Sequence, residues 1–252
     1  MNETLHKLRS RRVGLALSGG SVRGLAHIGV IKALAEAGIR PAVIAGTSAG
    51  SLIGAALASG MDWAELADMA RAVFWPSLLI GKRLEHFCAR HLPETFDALK
   101  LPFAAIVTRL PSKQAVTITD GPLASAISAS CAMRVVRRPV LRDGVLFKDG
   151  GIACVLPTIA CRELGAETVI ASDVWELSSL LRAAGLHPTH PRGERIYPSH
   201  YRQAVRHADL LIHPSIPTAG YLPSERAVHK MIAAGELAAR RSLTRMLGRD
   251  AA

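Results

Sequence analysis

Apolar positions along the chain fall into blocks whose period switches between that of a strand and that of a helix. Val13-Gly14-Leu15-Ala16-Leu17-Ser18 is a short apolar run closed by glycines, the pattern of a strand buried on both faces. After a glycine loop at 19–24, Leu25, Ile28, Ile31 and Leu34 recur at helical spacing, with Gly38 as the stop and Pro41 just beyond. The unit then repeats as strand Val43-Ile44-Ala45, turn Gly46-Thr47-Ser48 and a helical run from Ala49 to Ser59, closed by Gly60. Two strand-loop-helix units in series predict a mainly parallel sheet with helices against its faces.

Further along, Asp62 and Glu65 stand at capping-box spacing ahead of Leu66, Met69 and Val73, which predicts another helix, with Trp63 and Trp75 as packing residues. Phe103 to Thr108 and Ala115 to Thr119 read as strands joined by the turn Arg109-Leu110-Pro111-Ser112-Lys113. Leu123 to Met133 reads as helix. Asp143-Gly144 is a tight-turn signal between Val140-Leu141 and Val145-Leu146-Phe147, delivering the chain to Asp149-Gly150-Gly151. A helix to Leu164, a strand Thr168 to Ser172 and a helix through Ala184 continue the alternation. His187 to Ser199 has prolines and no periodicity, as expected of a loop or lid. Ala208 to His213 reads as a last strand and Ser224 to Leu247 as a long terminal helix. No internal repeat is present, and residues 1–252 suit a single domain.

Composition sharpens this picture. Apolar residues make up 49% and charged residues 20%, which argues against disorder, and only 4% are aromatic, so the core must be aliphatic and alanine-rich. A net charge of +11 attracts anionic partners, nucleic acid or anionic lipid. No nucleic-acid-binding signature accompanies it, so nucleic acid is not expected. The basic stretch Ala239 to Arg245 reads as a solvated helix end. Cys88, Cys131, Cys154 and Cys161 show no paired spacing and read as reduced. Residues 1–7 carry no apolar leader segment, from which a cytoplasmic address is expected, with peripheral membrane contact left open. His187-Pro188-Thr189-His190-Pro191 lacks a nearby carboxylate or thiolate, so no metal is expected. Pro41 to Met61 is uncharged for 21 residues, long enough to cross a bilayer, but its glycines and serines favour a buried strand-turn-helix.

Three motifs carry chemistry. Gly46-Thr47-Ser48-Ala49-Gly50 is G-x-S-x-G between a strand and a helix, the setting of a nucleophile elbow; a merely tight turn is the alternative. Ser18-Gly19-Gly20-Ser21-Val22-Arg23-Gly24 also follows a strand and opens a helix, where backbone N–H groups can face an anion. A dinucleotide loop would want glycine at position 21 and an acidic residue ending the next strand; this chain has Ser21, and the next strand runs into Ser48. No Gly-Lys-Ser/Thr is present for a Walker loop. An oxyanion hole remains. Asp149-Gly150-Gly151 is either an ordinary turn or the source of a base, since a buried carboxylate can activate a serine.

Residues 17–30, Gly46-Thr47-Ser48-Ala49-Gly50 and Asp149-Gly150-Gly151, in that order, resemble the patatin-like phospholipase family, specifically its small bacterial members; Ile232 to Arg241 is similar too. The resemblance implies a three-layer α/β/α fold, with a catalytic core at about 13–174 and a C-terminal helical and loop extension, 175–252, packed on it. It also implies a Ser-Asp dyad that hydrolyses acyl esters of lipids through an acyl-enzyme, without a cofactor. Ser48 falls on the nucleophile, Asp149 on the base, and Gly19, Gly20, Ser21 and Arg23 on the oxyanion loop, with Gly46 and Gly50 flanking the nucleophile.

The chain departs from that pattern where Ser21 stands for a third glycine, which would be strained at positive φ. Met133-Arg134-Val135-Val136-Arg137-Arg138-Pro139-Val140 replaces an apolar loop, and Cys154 and Val155 replace Asn and Pro. The basic segment suggests either phosphate-binding arginines at the site mouth or a surface turn salt-bridged to Asp143 or Glu163. Two other readings stay open. One is an α/β-hydrolase triad drawing on His207, His213 or His229; the other is a catalytically inactive lipid-binding or regulatory protein.

Overall fold

The computed structural model of the chain describes residues 8, 10–73, 75–78, 80–133, 137–216 and 223–249. β1 (Val13–Leu17) leads through a 3-10 turn (Ser21–Leu25) into α1 (Ala26–Glu36); β2 (Val43–Thr47) leads into α2 (Ala49–Ala58). α3 (Trp63–Ala72), α4 (Trp75–Leu78) and α5 (Arg83–His91) precede β3 (Phe103–Arg109) and β4 (Ala115–Ile118). α6 (Leu123–Ser130) is followed by the hairpin β5 (Val140–Arg142) and β6 (Val145–Asp149), then α7 (Thr158–Glu163), β7 (Thr168–Ser172) and α8 (Glu176–Ala183). α9 (Pro191–Glu194), α10 (Ser199–Arg206), β8 (Leu210–Ile212) and α11 (Glu225–Arg249) complete the order.

The fold is α/β with three layers. Hydrogen-bonded neighbours run β5-β6-β3-β2-β1-β7-β8, with β4 also on β3. The central pairs β3-β2, β2-β1, β1-β7 and β7-β8 are parallel, whereas β4, β5 and β6 pair antiparallel. Alternation along the strands builds two cores. Leu15, Leu17, Ile44, Val107 and Ile170 face one cluster together with residues of α1, α2, α3, α6 and α11. Ala16, Val43, Ala45, Ile106 and Val169 face the other, with α7 and the tyrosines Tyr197 and Tyr201. The uncharged stretch 41–61 thus carries β2 and α2, which are largely buried inside the molecule. Among the described residues no helix is long and apolar enough to cross a membrane.

Local signals account for most of these elements. Asp62 accepts from Ala64 and Glu65 N–H while Glu65 reaches back to Asp62 N–H, a complete capping box at the start of α3. Asp143 (φ 48°) and Gly144 (φ 76°) make the two-residue hairpin turn with both central residues left-handed. At the far end, a Cβ on Gly29 would stand 1.8 Å from the Ile232 carbonyl oxygen, and one on Gly235 would stand 1.9 Å from that of Ala26. The two glycines let α1 and α11 cross backbone against backbone. Two expectations need correction: the helix expected to reach Met133 ends at Ser130, and the segment expected to be only loop at 187–199 contains α9 and runs directly into α10. Tyr201, Ala204 and Val205 give α10 an apolar face, and Tyr201 is fully buried.

Candidate active site

Thr47 ends β2, and Ser48 follows at φ 52°, ψ −123° as the residue that opens α2. So sharp a turn tolerates only glycine two residues to either side of Ser48: a Cβ on Gly46 would stand 2.3 Å from the Gly50 carbonyl oxygen, and one on Gly50 would stand 2.3 Å from that of Leu17. The strained backbone is tied down. Ser51 Oγ donates to the Ser48 carbonyl at 2.6 Å, and Ser48 N–H donates to Ser130 Oγ at 2.9 Å, whose hydroxyl donates onward to the Ile106 carbonyl at 2.6 Å. Ser130 was invisible as a site residue in the sequence, because nothing in Ser128-Ala129-Ser130 separates a positioning serine from a packing one.

Register brings Asp149 to the same place. β4 pairs with Ala105–Thr108 of β3, so β2, pairing at 103–106, and β6, pairing at 107–109, must both lie on the opposite edge of β3. There they meet end to end: Thr47 pairs with Ile106 and Asp149 with Val107. Both chains leave the sheet at one point, and Ser48 Oγ donates to Asp149 Oδ2 at 2.8 Å. Gly151 N–H donates to Oδ1 at 2.8 Å, and Thr108 Oγ1 donates to the Asp149 carbonyl at 2.8 Å. Burial pushes the Asp149 carboxyl up to about 6, against the Gly151 N–H and Ser48 hydroxyl, which favour the charged form. A carboxylate so placed is mostly ionised at neutral pH and in contact with the proton it would accept.

The histidines considered for a triad lie elsewhere. His213 Nδ1 is 3.1 Å from Asp173 Oδ2, His229 stands exposed beside Glu225, and the His207 side chain is exposed. Among the described residues no histidine is hydrogen-bonded to Ser48 or Asp149.

The glycine loop divides into two parts. Gly19 N–H donates to the Val155 carbonyl at 2.9 Å, so its donor is already used. Arg23 Nε donates to the Val174 carbonyl at 2.9 Å and its Nη2 to Ser179 Oγ at 2.6 Å. Gly19 thus lies on the loop with its own N–H engaged, and Arg23 braces the loop with two of its five guanidinium N–H groups. His27 braces it too, between Ser172 Oγ and the Ser18 carbonyl, and burial holds its ring down to about 4, hence neutral. By contrast, the N–H groups of Gly20, Ser21 and Val22 donate to no protein acceptor among the described residues. Ser21 sits at φ 51°, the strained conformation foreseen for a serine in place of glycine, and Ser21 and Val22 share a cavity wall with Ser48. Nothing in the sequence singles out Val22.

Residues 15–161 match the family model described as patatin-like phospholipase. The chain belongs to the patatin-like phospholipase family. An NTE family protein of Mycobacterium tuberculosis is 36% identical over 177 residues, covering 64% of this chain and 49% of that protein. Patatin-like phospholipase domain-containing protein 7 of Rattus norvegicus is 32% identical over 186 residues, 66% of this chain and 14% of the relative. The chain thus spans about half, or much less, of the curated relatives it matches. VipD from Legionella pneumophila shares the fold, with a TM-score of 0.64 at 14% identity, covering 93% of this chain and 67% of VipD.

At the positions where the sequence differs from the pattern expected of the family, the structure shows what each residue does. Cys154 and Val155 serve through their backbones: the Cys154 carbonyl accepts from Thr47 Oγ1 at 3.0 Å and that of Val155 from Gly19. A cavity of about 70 Å³ at Ser48 is walled by Leu52, Trp75, Leu84, Cys131 and Met133, so Trp75 has a place at the site beyond the packing role expected of it. Burial pushes the Cys131 thiol up to about 12, which keeps it protonated beside the serine. In the basic segment, Arg134, Val135 and Val136 lie outside the described residues, whereas Arg137 is buried and bonded to Ser128 and Gly81, not to Asp143 or Glu163.

Proposed function

We propose that the chain hydrolyses acyl esters of lipids, with Ser48 as nucleophile and Asp149 as general base. The observation that carries this reading is the 2.8 Å hydrogen bond from Ser48 Oγ to a buried carboxylate, made at a strained strand-to-helix turn. Asp149 takes the serine proton as Oγ attacks the ester carbonyl, and negative charge develops on the carbonyl oxygen. The unused N–H groups of Gly20, Ser21 and Val22 are the donors available to that oxyanion; each such donor is worth about 10²–10³ in rate. Collapse expels the alcohol, which receives the proton from Asp149 and leaves an acyl ester on Ser48. Water, deprotonated by the same carboxylate, then releases the fatty acid and restores the serine. The apolar cavity walls at Ser48 suit an acyl chain.

The inactive lipid-binding reading gains no support from Ser21, because substitution of glycine leaves the backbone N–H in place. Ser48→Ala removes one oxygen and is expected to abolish both ester hydrolysis and covalent labelling by a fluorophosphonate while the protein stays folded. Labelling of the alanine variant at the wild-type rate would rule out Ser48 as the nucleophile.

A further inference from the structure

A second cavity, of about 550 Å³, carries on its walls Lys82, Glu85, Ser125, Ser128, Arg137 and Arg138. It neighbours the cavity at Ser48. Consecutive residues at the start of α5 divide between the two, Leu84 facing the serine cavity and Glu85 this one, while Ser128 of α6 faces this one and Cys131, just past the helix, the other. Three cations against one carboxylate leave the walls net positive, and the Lys148 ammonium lies 2.7 Å from the Arg137 carbonyl oxygen.

Arg137 is the centre of this arrangement. It is 9% exposed, and its guanidinium donates to the Ser128 carbonyl at 3.2 Å, to Ser128 Oγ at 2.9 Å and to the Gly81 carbonyl at 3.3 Å. All three acceptors are neutral, and among the described residues Arg137 makes no ion pair. Three of the five guanidinium N–H groups are thereby occupied. Among the described residues no carboxylate touches the guanidinium and Asp149 acts on it only through space, so the site gains free energy when an anion enters in direct contact. The anion must be small and multiply charged to engage two arginines and a lysine at once; the exposed Arg138 guanidinium can meet a phosphate with two parallel bonds, whereas Arg137, with both Nη2 hydrogens committed, offers single N–H groups.

We propose that this cavity binds a phosphate group, held by Arg137, Arg138 and Lys82 with the Ser125 hydroxyl beside them. Glu85 opposes it. The phosphate can be free or can belong to a lipid headgroup whose acyl ester reaches Ser48; the second source rests on the hydrolase reading, the first does not.

Arg137 is built into the fold, so the exposed pair Lys82 and Arg138 carries the test. Inorganic phosphate is titrated calorimetrically into the full chain at constant ionic strength. Wild type is expected to bind, Lys82→Gln/Arg138→Gln to bind at least about tenfold more weakly, and Glu85→Gln to bind more tightly. No heat with wild type, or an isotherm unchanged in the double variant, would overturn the site. The source is separated by comparing a 1-acylglycerol 3-phosphate with the monoacylglycerol of the same chain. A fall of about tenfold in the ratio of their kcat/KM values in the double variant assigns the site to the headgroup, whereas an unchanged ratio beside weakened phosphate binding assigns it to free phosphate. If neither ester turned over, the hydrolase reading would fail and the phosphate titration would still stand or fall by itself.

Discussion

Two buried aspartates, Asp149 and Asp173, have their carboxyl groups shifted in opposite directions, and the difference separates the carboxylate proposed as base from one that only ties elements together. Asp149 receives one backbone N–H and the Ser48 hydroxyl, which do not offset its burial, so its carboxyl rises to about 6. Asp173 is fully buried as well, which alone would raise it. However, His213 at 3.1 Å, the Tyr201 hydroxyl at 2.5 Å and the Ser178 hydroxyl outweigh the burial and hold its carboxyl below the usual range. Asp173 thus ties the end of β7 to α10 and to the chain after β8 as a stable anion. Asp149, under-satisfied and touching a hydroxyl, is the one poised to take a proton.

The comparison is broken most forcefully by exchanging the two partners' chemistry. Asp149→Asn keeps the shape and the acceptor for Gly151 N–H but cannot receive a proton, so turnover of a soluble ester is expected to fall by about 10²–10⁴. His213→Gln is expected to lower the melting temperature and leave turnover within a few-fold. The opposite pattern, a dead histidine variant and an active Asp149→Asn, would restore the triad reading.

A smaller effect concerns stability. Because the native carboxyl of Asp149 titrates near 6 and the free one at 3.8, the folded state binds the proton more tightly. The stabilisation linked to that proton is full below about pH 4 and is lost as pH rises through 6, on the order of 3 kcal/mol. Asp149→Asn, which does not titrate, should therefore gain about that much relative to wild type between pH 4 and pH 8 in urea unfolding. A pH-independent difference would mean that the carboxyl is not desolvated. Smallest of all, Ser21→Gly relieves a positive φ and is expected to stabilise by up to about 1 kcal/mol, with activity kept because the N–H remains. A loss of stability there would mean that the serine side chain makes a contact worth more than the strain.

The legible parts of this molecule were those whose cause is local. A strand followed by G-x-S-x-G reads as an elbow because only small residues fit the turn, and Asp143-Gly144 reads as a hairpin because both positions need φ > 0. What the sequence could not disclose depends on partners far along the chain. The Gly19 N–H goes to Val155 and two of the Arg23 guanidinium N–H groups go to Val174 and Ser179, all more than a hundred residues away. Ser130 and Val22 gained their places in the same way. The start of α10 is hard to read because prolines and histidines before it mask its apolar period, although Tyr201, Ala204 and Val205 carry the signal.

The central claim is that Asp149, raised by burial, is the base for Ser48, and the pH dependence of kcat/KM on a neutral soluble ester tests it most directly. The account predicts a rate that rises with pH through a single ionisation near 6 and then stays level to pH 8, since the base must lose its proton to work. A rate already level at pH 4.5, or one unchanged by Asp149→Asn, would contradict it.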